Sequence, residues 1–570
     1  MNRIKESLIP AAIAVLAFAA FFPALKGFLV TDDFLLLHRA IHSTMSLPAI
    51  FSVYLNIPVG LFFRPLSFLV FLLAWKTFGF HILYYHLMNV VLHCCNSILV
   101  FQVGKYFFKS EQLVSPAFLA AVIFALHPRN IEAVATICSY TDLLCVLFLL
   151  IALLFFLRHQ RETTSPYLLV SSVFFLFSLF SKESAIVFPL IAVLSLAVLR
   201  SVNGQWRSTR TPVRYQIGIF LLALSLYFLI RFVSIGTIGI GFTKYANYSA
   251  VHIMKFVVKG LVADLLPSTI FSLLSEDLSQ PRLEIMISII VVLTGLVFVI
   301  VRSWPRRRQQ WCVSLFLLLC AAICLLPVSP FSFSLISSQE NRFLYLPTLF
   351  FSLFTTGVLS ALFPSRKLFS VSAVVSTALF FYLVRVEYTP WTSAFRVSYS
   401  LFGELKNLNG DMIWNSPALV VLDAPIRFKG APVGMSREEV MLALEIQEGN
   451  HETQQARSAE TRVDLSIEVL TFTDVHSESP LFPVRWTLRR DTLVGESAEG
   501  EKVFVGMTER EDNHFFLQKA RSFSVEAVSY DTVSYSCEQV KIYPFSSFPF
   551  GTVFISCGLG KIQRHEFRAE

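Results

Sequence analysis

Two adjacent carboxylates, Asp32 and Asp33, follow the first apolar run by a few residues, in Gly27-Phe28-Leu29-Val30-Thr31-Asp32-Asp33. Paired carboxylates at that place suit a general base for an acceptor hydroxyl or a ligand set for a divalent cation. They equally suit a plain helix start, because Thr and Asp favour the N-cap. Three more carboxylates stand at the ends of later apolar runs: Glu132 in Leu126-His127-Pro128-Arg129-Asn130-Ile131-Glu132, Asp142 in Tyr140-Thr141-Asp142, and Glu183 in Ser181-Lys182-Glu183. Cations accompany them: Arg64 in Phe63-Arg64-Pro65-Leu66, Lys182 itself, and Arg342 in Gln339-Glu340-Asn341-Arg342-Phe343. Lys182 can pair with Glu183 or with a phosphate, and Arg342 fits bidentate phosphate recognition as well as an interfacial anchor.

A separate pattern is polar. His86, Asn89, His93 and Asn96 are spaced by three, four and three residues, which puts them within an arc of roughly 80 degrees on a helix. Such a face either glues helices together by hydrogen bonds or lines a cavity, and glue is the commoner role. As a zinc site the spacing is poor, with no clustered Cys and no third His.

The elements that must carry these residues are membrane helices. Hydrophobic residues make up 55% of the 570-residue chain and charged residues only 15%, more apolar surface than a soluble fold hides. Apolar runs recur from Leu8 as far as Val386, and a run near 20 residues matches the bilayer's hydrocarbon thickness. The first of them, opened by Met1-Asn2-Arg3-Ile4-Lys5, has no clean small-residue cleavage site and reads as an uncleaved first helix. Six basic clusters mark cytoplasmic loops: Arg3/Lys5, Lys105/Lys109, Arg158/Arg161, Arg200 to Arg214, Arg302 with Arg306-Arg307-Arg308, and Arg366/Lys367. All six share one side only if two stretches, about 61 to 78 and about 251 to 274, lie along the outer interface instead of crossing; each is interrupted by Pro or charge. The expectation is therefore about eleven crossings, a cytoplasmic N-terminus, and an outer location for everything after about Tyr388. The net charge of +8 belongs largely to the inner collar, so nucleic-acid binding is not needed to explain it.

From about 404 to 570 the composition turns to ordinary globular usage. Alternating stretches such as 463 to 469 and 522 to 528 predict strands, and Ser436-Arg437-Glu438-Glu439 a short capped helix. The reading is a β-rich soluble domain following a transmembrane domain of residues 1 to 400. Cys537 and Cys557 fall in that outer domain, where a disulfide can persist, but sequence leaves their pairing open.

This topology places Asp32, Asp33, Glu132, Asp142, Lys182, Glu183 and Arg342 on one side of the membrane. Carboxylates for base or metal work, next to cations for phosphate, point to attack on an activated lipid carrier.

The serial order of Asp32-Asp33, Phe63-Arg64-Pro65-Leu66, His86-x-x-Asn89-x-x-x-His93-x-x-Asn96, Leu126-His127-Pro128 through Glu132, Asp142-Leu143-Leu144, Ser181-Lys182-Glu183 and Arg342-Phe343-Leu344-Tyr345-Leu346-Pro347 resembles the membrane part of the transmembrane-and-TPR O-mannosyltransferases. It is similar, more loosely, to protein O-mannosyltransferases and to the aminoarabinose transferases of lipid A. The resemblance covers about residues 1 to 400. It implies a GT-C fold and a polyprenyl-phosphate-linked sugar donor, with transfer to an acceptor on the outer side. It further implies Asp32 or Asp33 at the catalytic centre, Glu132, Asp142 and Glu183 as supporting acidic groups, and Lys182, Arg342 and Arg64 near the donor phosphate. A divalent cation is possible, and the acceptor, whether protein, lipid or glycan, is open. Two features depart from the pattern. Tyr140 stands where those relatives tend to carry Arg, and the TPR array is replaced by the β-rich segment. The missing array fits a bacterial inner-membrane protein with a periplasmic C-terminal domain and undecaprenyl phosphate as carrier. The rival readings are a transporter or flippase for a lipid-linked or glycan substrate, and a non-catalytic scaffold.

Overall fold

The computed structural model describes residues 2–407, with gaps at 53–54, 58–59, 109–114, 163–164, 204–211, 240–248, 266–306, 332–339 and 364; beyond 407 it describes chiefly backbone strands between 418 and 565. Helices dominate. In chain order they are α1 Asn2–Phe21, α2 Asp32–Ile41, α3 Leu47–Ile50, α4 Pro65–Phe78, α5 Ile82–Phe107, α6 Pro116–Ala125, α7 Ile131–Ala135, α8 Tyr140–Glu162, α9 Ser165–Ser181, α10 Phe188–Asn203, α11 Val213–Ile235 and α12 Ala250–Leu265. Three more follow: Arg307–Val328, Tyr345–Leu362 and Arg366–Asn407.

Among the described residues seven helices are long and apolar enough to cross a membrane, or eight if the bent pair of α6 with Pro128–Ala135, inclined by 47°, is one span. The chain is an integral membrane protein. Three apolar helices, Pro65–Phe78, Pro166–Ser181 and Glu183–Val198, are shorter than the roughly 20 residues a straight crossing needs. The α4 helix lies in the stretch expected along the outer interface. It ends at Gly79, whose φ of 53° a residue with a Cβ adopts only under strain. The second such stretch is described only as far as Leu265, in α12, and the apolar run near 285–301 lies outside the described residues.

The chain divides into two compact units. The larger comprises residues 1–26 and 43–389, with a core around α5, α6, α8 and the Tyr345–Leu362 helix. Here α5 and α6 approach closely, because a Cβ at Gly104 would meet Ala117 at 3.2 Å. Ser115 opens α6 by accepting the Phe118 N–H at 3.2 Å, with Pro116 at the first helical position. The α6 helix ends at Ala125, three residues before Pro128. There the His127 ring accepts the Arg129 N–H at 3.3 Å and starts the short turn Pro128–Asn130 that leads into α7.

The other unit comprises residues 27–42 and 390–570. In it Phe28 packs edge-on against Tyr399 at 5.1 Å, and Ser398 donates to the Leu29 carbonyl at 2.7 Å. Its backbone strands include Ser466–Phe472 and Ser524–Ser529, at the two alternating stretches of the sequence. Ala418–Pro425 runs parallel to Ser466–Phe472 and to Val553–Gly558. The short helix expected at 436–439 and the side chains of Cys537 and Cys557 lie outside the described residues.

Candidate active site

The charged side chains of the larger unit gather where apolar helices break. Asp142 occupies the first turn of α8, where the helix dipole favours a carboxylate. Lys182 follows α9 in extended backbone, and Glu183 opens the short turn Glu183–Val187. Arg64 immediately precedes Pro65 at the start of α4, and Glu132 sits in the first turn of α7. Arg342 lies in the turn Asn341–Leu344, entered through Glu340 in the left-handed region at φ 69°.

These residues meet as three carboxylate–cation pairs. Lys182 Nζ is 2.6 Å from Asp142 Oδ1 and 2.7 Å from Oδ2, and both side chains are buried. Arg64 Nε donates to Glu183 Oε2 at 2.9 Å, while the Phe63 N–H donates to Oε1 at 3.2 Å. The Arg342 N–H donates to Glu132 Oε2 at 2.8 Å, with its guanidinium Nε 3.9 Å from Oε1. Lys182 and Arg342 flank one ring, Phe343, at 5.5 and 5.9 Å from its centroid. Burial pulls the Lys182 ammonium below its ordinary range, opposed by the Asp142 carboxylate. Of the three predicted cations, Arg342 has the most accessible side chain, at 24% exposure against 11% for Arg64 and 8% for Lys182.

Arg231 joins this cluster and was not among the residues picked out from sequence. It lies near the C-terminal end of α11, almost fully buried, with Nη1 3.8 Å from Glu183 Oε1 and Nη2 donating to the Gly239 carbonyl at 2.8 Å. The available signal was a lone arginine inside an apolar helix, a costly placement that marks a partner.

The polar face of α5 resolves into helix glue at three of its four positions. Asn89 donates to the Thr136 carbonyl at 2.7 Å. The His93 ring lies between the Tyr345 hydroxyl at 2.9 Å and the Ala125 carbonyl at 3.1 Å, and Asn96 donates to the Leu143 carbonyl at 3.0 Å and to Tyr345 at 3.1 Å. His86 is buried on the same face. Tyr140, where the sequence departs from the pattern it resembles, is buried and donates to the Ser67 carbonyl at 2.8 Å. Ser67 in turn donates to the Ser181 carbonyl beside Lys182 at 3.0 Å.

Asp32 and Asp33 belong to the other unit, in the first turn of α2, where the helix dipole favours both. The preceding Thr31 has φ 47° and makes no side-chain cap. Instead Asp33, fully buried, reaches back and accepts the Val30 N–H at 3.1 Å, while Asp32 is half-buried. Among the described residues no group of three or more His, Cys, Asp or Glu could hold a metal ion.

A further buried carboxylate of the larger unit, Asp264 on α12, accepts the Thr348 hydroxyl at 2.7 Å, and its other oxygen has no hydrogen-bond partner among the described residues. Burial pushes its carboxyl up from 3.8 to about 7, against the opposing pull of Thr348 and Arg129. A folded-state pKa above the unfolded one means the native state holds the proton more tightly. The resulting stabilisation is complete below about pH 4 and is lost as pH rises through about 7. Wild-type stability should therefore fall between pH 5 and pH 8 more steeply than that of Asp264→Asn, as read from thermal unfolding of both proteins in one detergent. Parallel profiles would show that this carboxyl does not titrate there.

No known family profile matches the chain. In local stretches it is similar to named O-mannosyl-transferases, in keeping with the resemblance carried by the motifs. It is 38% identical over 126 residues to the protein O-mannosyl-transferase TMTC1 of Mus musculus, covering 20% of this chain and 13% of that one. With TMTC4 of Homo sapiens it is 32% identical over 160 residues, covering 25% and 22%. The chain thus spans less than a quarter of the length of these relatives. Solved structures similar to it include ArnT from Cupriavidus metallidurans bound to undecaprenyl phosphate, at 12% identity and TM-score 0.43 over 93% of this chain and 97% of that one. Another is the archaeal oligosaccharyltransferase AglB from Archaeoglobus fulgidus, crystallised with an inhibitory peptide and a dolichol-phosphate, at 12% identity and TM-score 0.40 over 73% and 62%.

Proposed function

We propose that this protein is a membrane glycosyltransferase that moves a sugar from a polyprenyl-phosphate-linked donor to an acceptor on the outer side of a bacterial inner membrane. The observation that carries the reading is the gathering of four cations, Arg64, Lys182, Arg231 and Arg342, around Glu132, Asp142 and Glu183 in one cluster. Cations held in place by fixed carboxylates suit an anionic phosphate that gains charge as it leaves. Local similarity to O-mannosyl-transferases supports sugar transfer as the reaction. In the proposed step the carboxylate of Asp32 or Asp33 takes the acceptor's hydroxyl proton, the acceptor oxygen displaces the lipid phosphate at the anomeric carbon, and Arg342 and Lys182 stabilise the departing phosphate. A phosphate leaving group needs no general acid. About eleven crossings, a cytoplasmic N-terminus and a β-rich periplasmic domain from about 404 to 570 belong to the same proposal.

The test offers the full-length protein in lipid nanodiscs a panel of polyprenyl-phosphate sugars and measures release of free lipid phosphate. Turnover with at least one carrier and inversion at the anomeric carbon are expected. Retained configuration would sink the single displacement. Silence with every carrier, together with movement of a labelled lipid-linked sugar across proteoliposomes, would replace transfer with transport.

A further inference from the structure

Arg129 is fully buried and has no role in the reaction proposed above. Its Nη1 donates to the Asn341 side-chain oxygen at 3.2 Å, and its Nε donates to the Ala263 carbonyl at 3.0 Å. Three residues further on, Glu132 holds the neighbouring Arg342 through the backbone N–H at 2.8 Å. Two consecutive residues, Asn341 and Arg342, are thus gripped by two side chains of one bent segment. The dipeptide needs such a grip, because Glu340 ahead of it occupies a strained left-handed conformation at φ 69°. The bend is itself secured: Asn130 donates to the Phe124 carbonyl at 2.8 Å, and the His127 ring meets the Asp264 carbonyl at 3.0 Å beside the Arg129 contact on α12. The carboxylates of Glu387 and Asp264 lie within electrostatic reach of Arg129, which balances the charge of burying it.

We propose that Arg129 is a positioning residue: its forked contact with Asn341 and the α12 backbone sets the turn that presents Arg342 to an anionic phosphate. The inference rests on the glycosyltransferase reading for its ligand and adds a residue which that reading does not use. A lysine keeps the charge but cannot bridge two acceptors in fixed directions.

The experiment compares wild type, Arg129→Lys, Asn341→Leu and Asn341→Asp, each full length in nanodiscs. Two readouts are taken: the Kd of sugar-free undecaprenyl phosphate by fluorescence titration, and kcat and KM for the donor found in the carrier panel. Arg129→Lys and Asn341→Leu are expected to raise Kd and KM by roughly tenfold, the loss of one charge-assisted hydrogen bond, with kcat changing less. Asn341→Asp, which keeps the acceptor oxygen, should stay near wild type. Should Arg129→Lys fail to fold, Asn341→Leu probes the same contact from its other end. Variants that lose thermal stability but keep the wild-type Kd would make Arg129 purely structural and overturn the proposal. A wild type that binds undecaprenyl phosphate but turns over no donor would count against the glycosyltransferase reading alone.

Discussion

Replacing Lys182 by Met is expected to destabilise the protein by about 3–5 kcal/mol, while the double variant Lys182→Met/Asp142→Leu should recover most of that loss. Lys182 compensates Asp142 through two contacts, at 2.6 and 2.7 Å, in a place that water barely reaches. Removing only the ammonium leaves a buried carboxylate with its desolvation cost and no partner. Removing both takes away the ion pair together with its desolvation cost. The measurement is a double-mutant cycle on unfolding free energies, from denaturant titration of the purified protein in mixed micelles. A coupling energy under about 1 kcal/mol, the range of an exposed pair, would mean that water screens the contact and that the cluster is open. Transfer activity separates the two effects further. If Lys182 also meets the donor phosphate, the double variant should regain stability and remain inactive.

The charged residues themselves were legible in the sequence, because ionisable groups beside apolar runs are rare enough to stand out. Their pairing was not. Lys182 and Glu183 are neighbours and look like a pair, yet Lys182 bonds Asp142 and Glu183 bonds Arg64. The reason is local: Lys182 sits in extended backbone, φ −159° and ψ 141°, and consecutive residues in such a stretch point to opposite sides. Glu132 and Arg342, 210 residues apart, meet through a backbone N–H as well as a guanidinium, and no side-chain pattern announces a backbone donor.

The stripe on α5 shows the same limit from the other direction. Its spacing predicts a polar face, but not that the partners of Asn89 and Asn96 are the carbonyls of Thr136 and Leu143, or that His93 takes that of Ala125. The carbonyl of Ala125 is released by the break before Pro128, and that of Thr136 follows the end of α7, so these acceptors exist only once the bend is in place. The stretch from about 61 to 78 is interrupted in the sequence by Arg64-Pro65 and Lys76, and its helix, α4, has 14 residues, short of a straight crossing.

Asp32→Asn is expected to lower turnover by about 10²–10⁴-fold, the usual contribution of a positioned general base, while leaving the thermal transition close to wild type. The structure separates the two adjacent carboxylates that sequence treats as equivalent. Asp33 is fully buried and closes the loop before α2 by accepting the Val30 N–H, whereas Asp32 is half-buried at the head of the same helix. A proton acceptor has to reach an incoming hydroxyl, and that favours Asp32. Asn at position 33 still offers an oxygen to Val30 but adds amide hydrogens in a dry place, so Asp33→Asn should cost roughly 1–3 kcal/mol of stability and less rate. Near-wild-type turnover in Asp32→Asn, paired with an inactive but folded Asp33→Asn, would reverse the assignment and make the buried carboxylate the base.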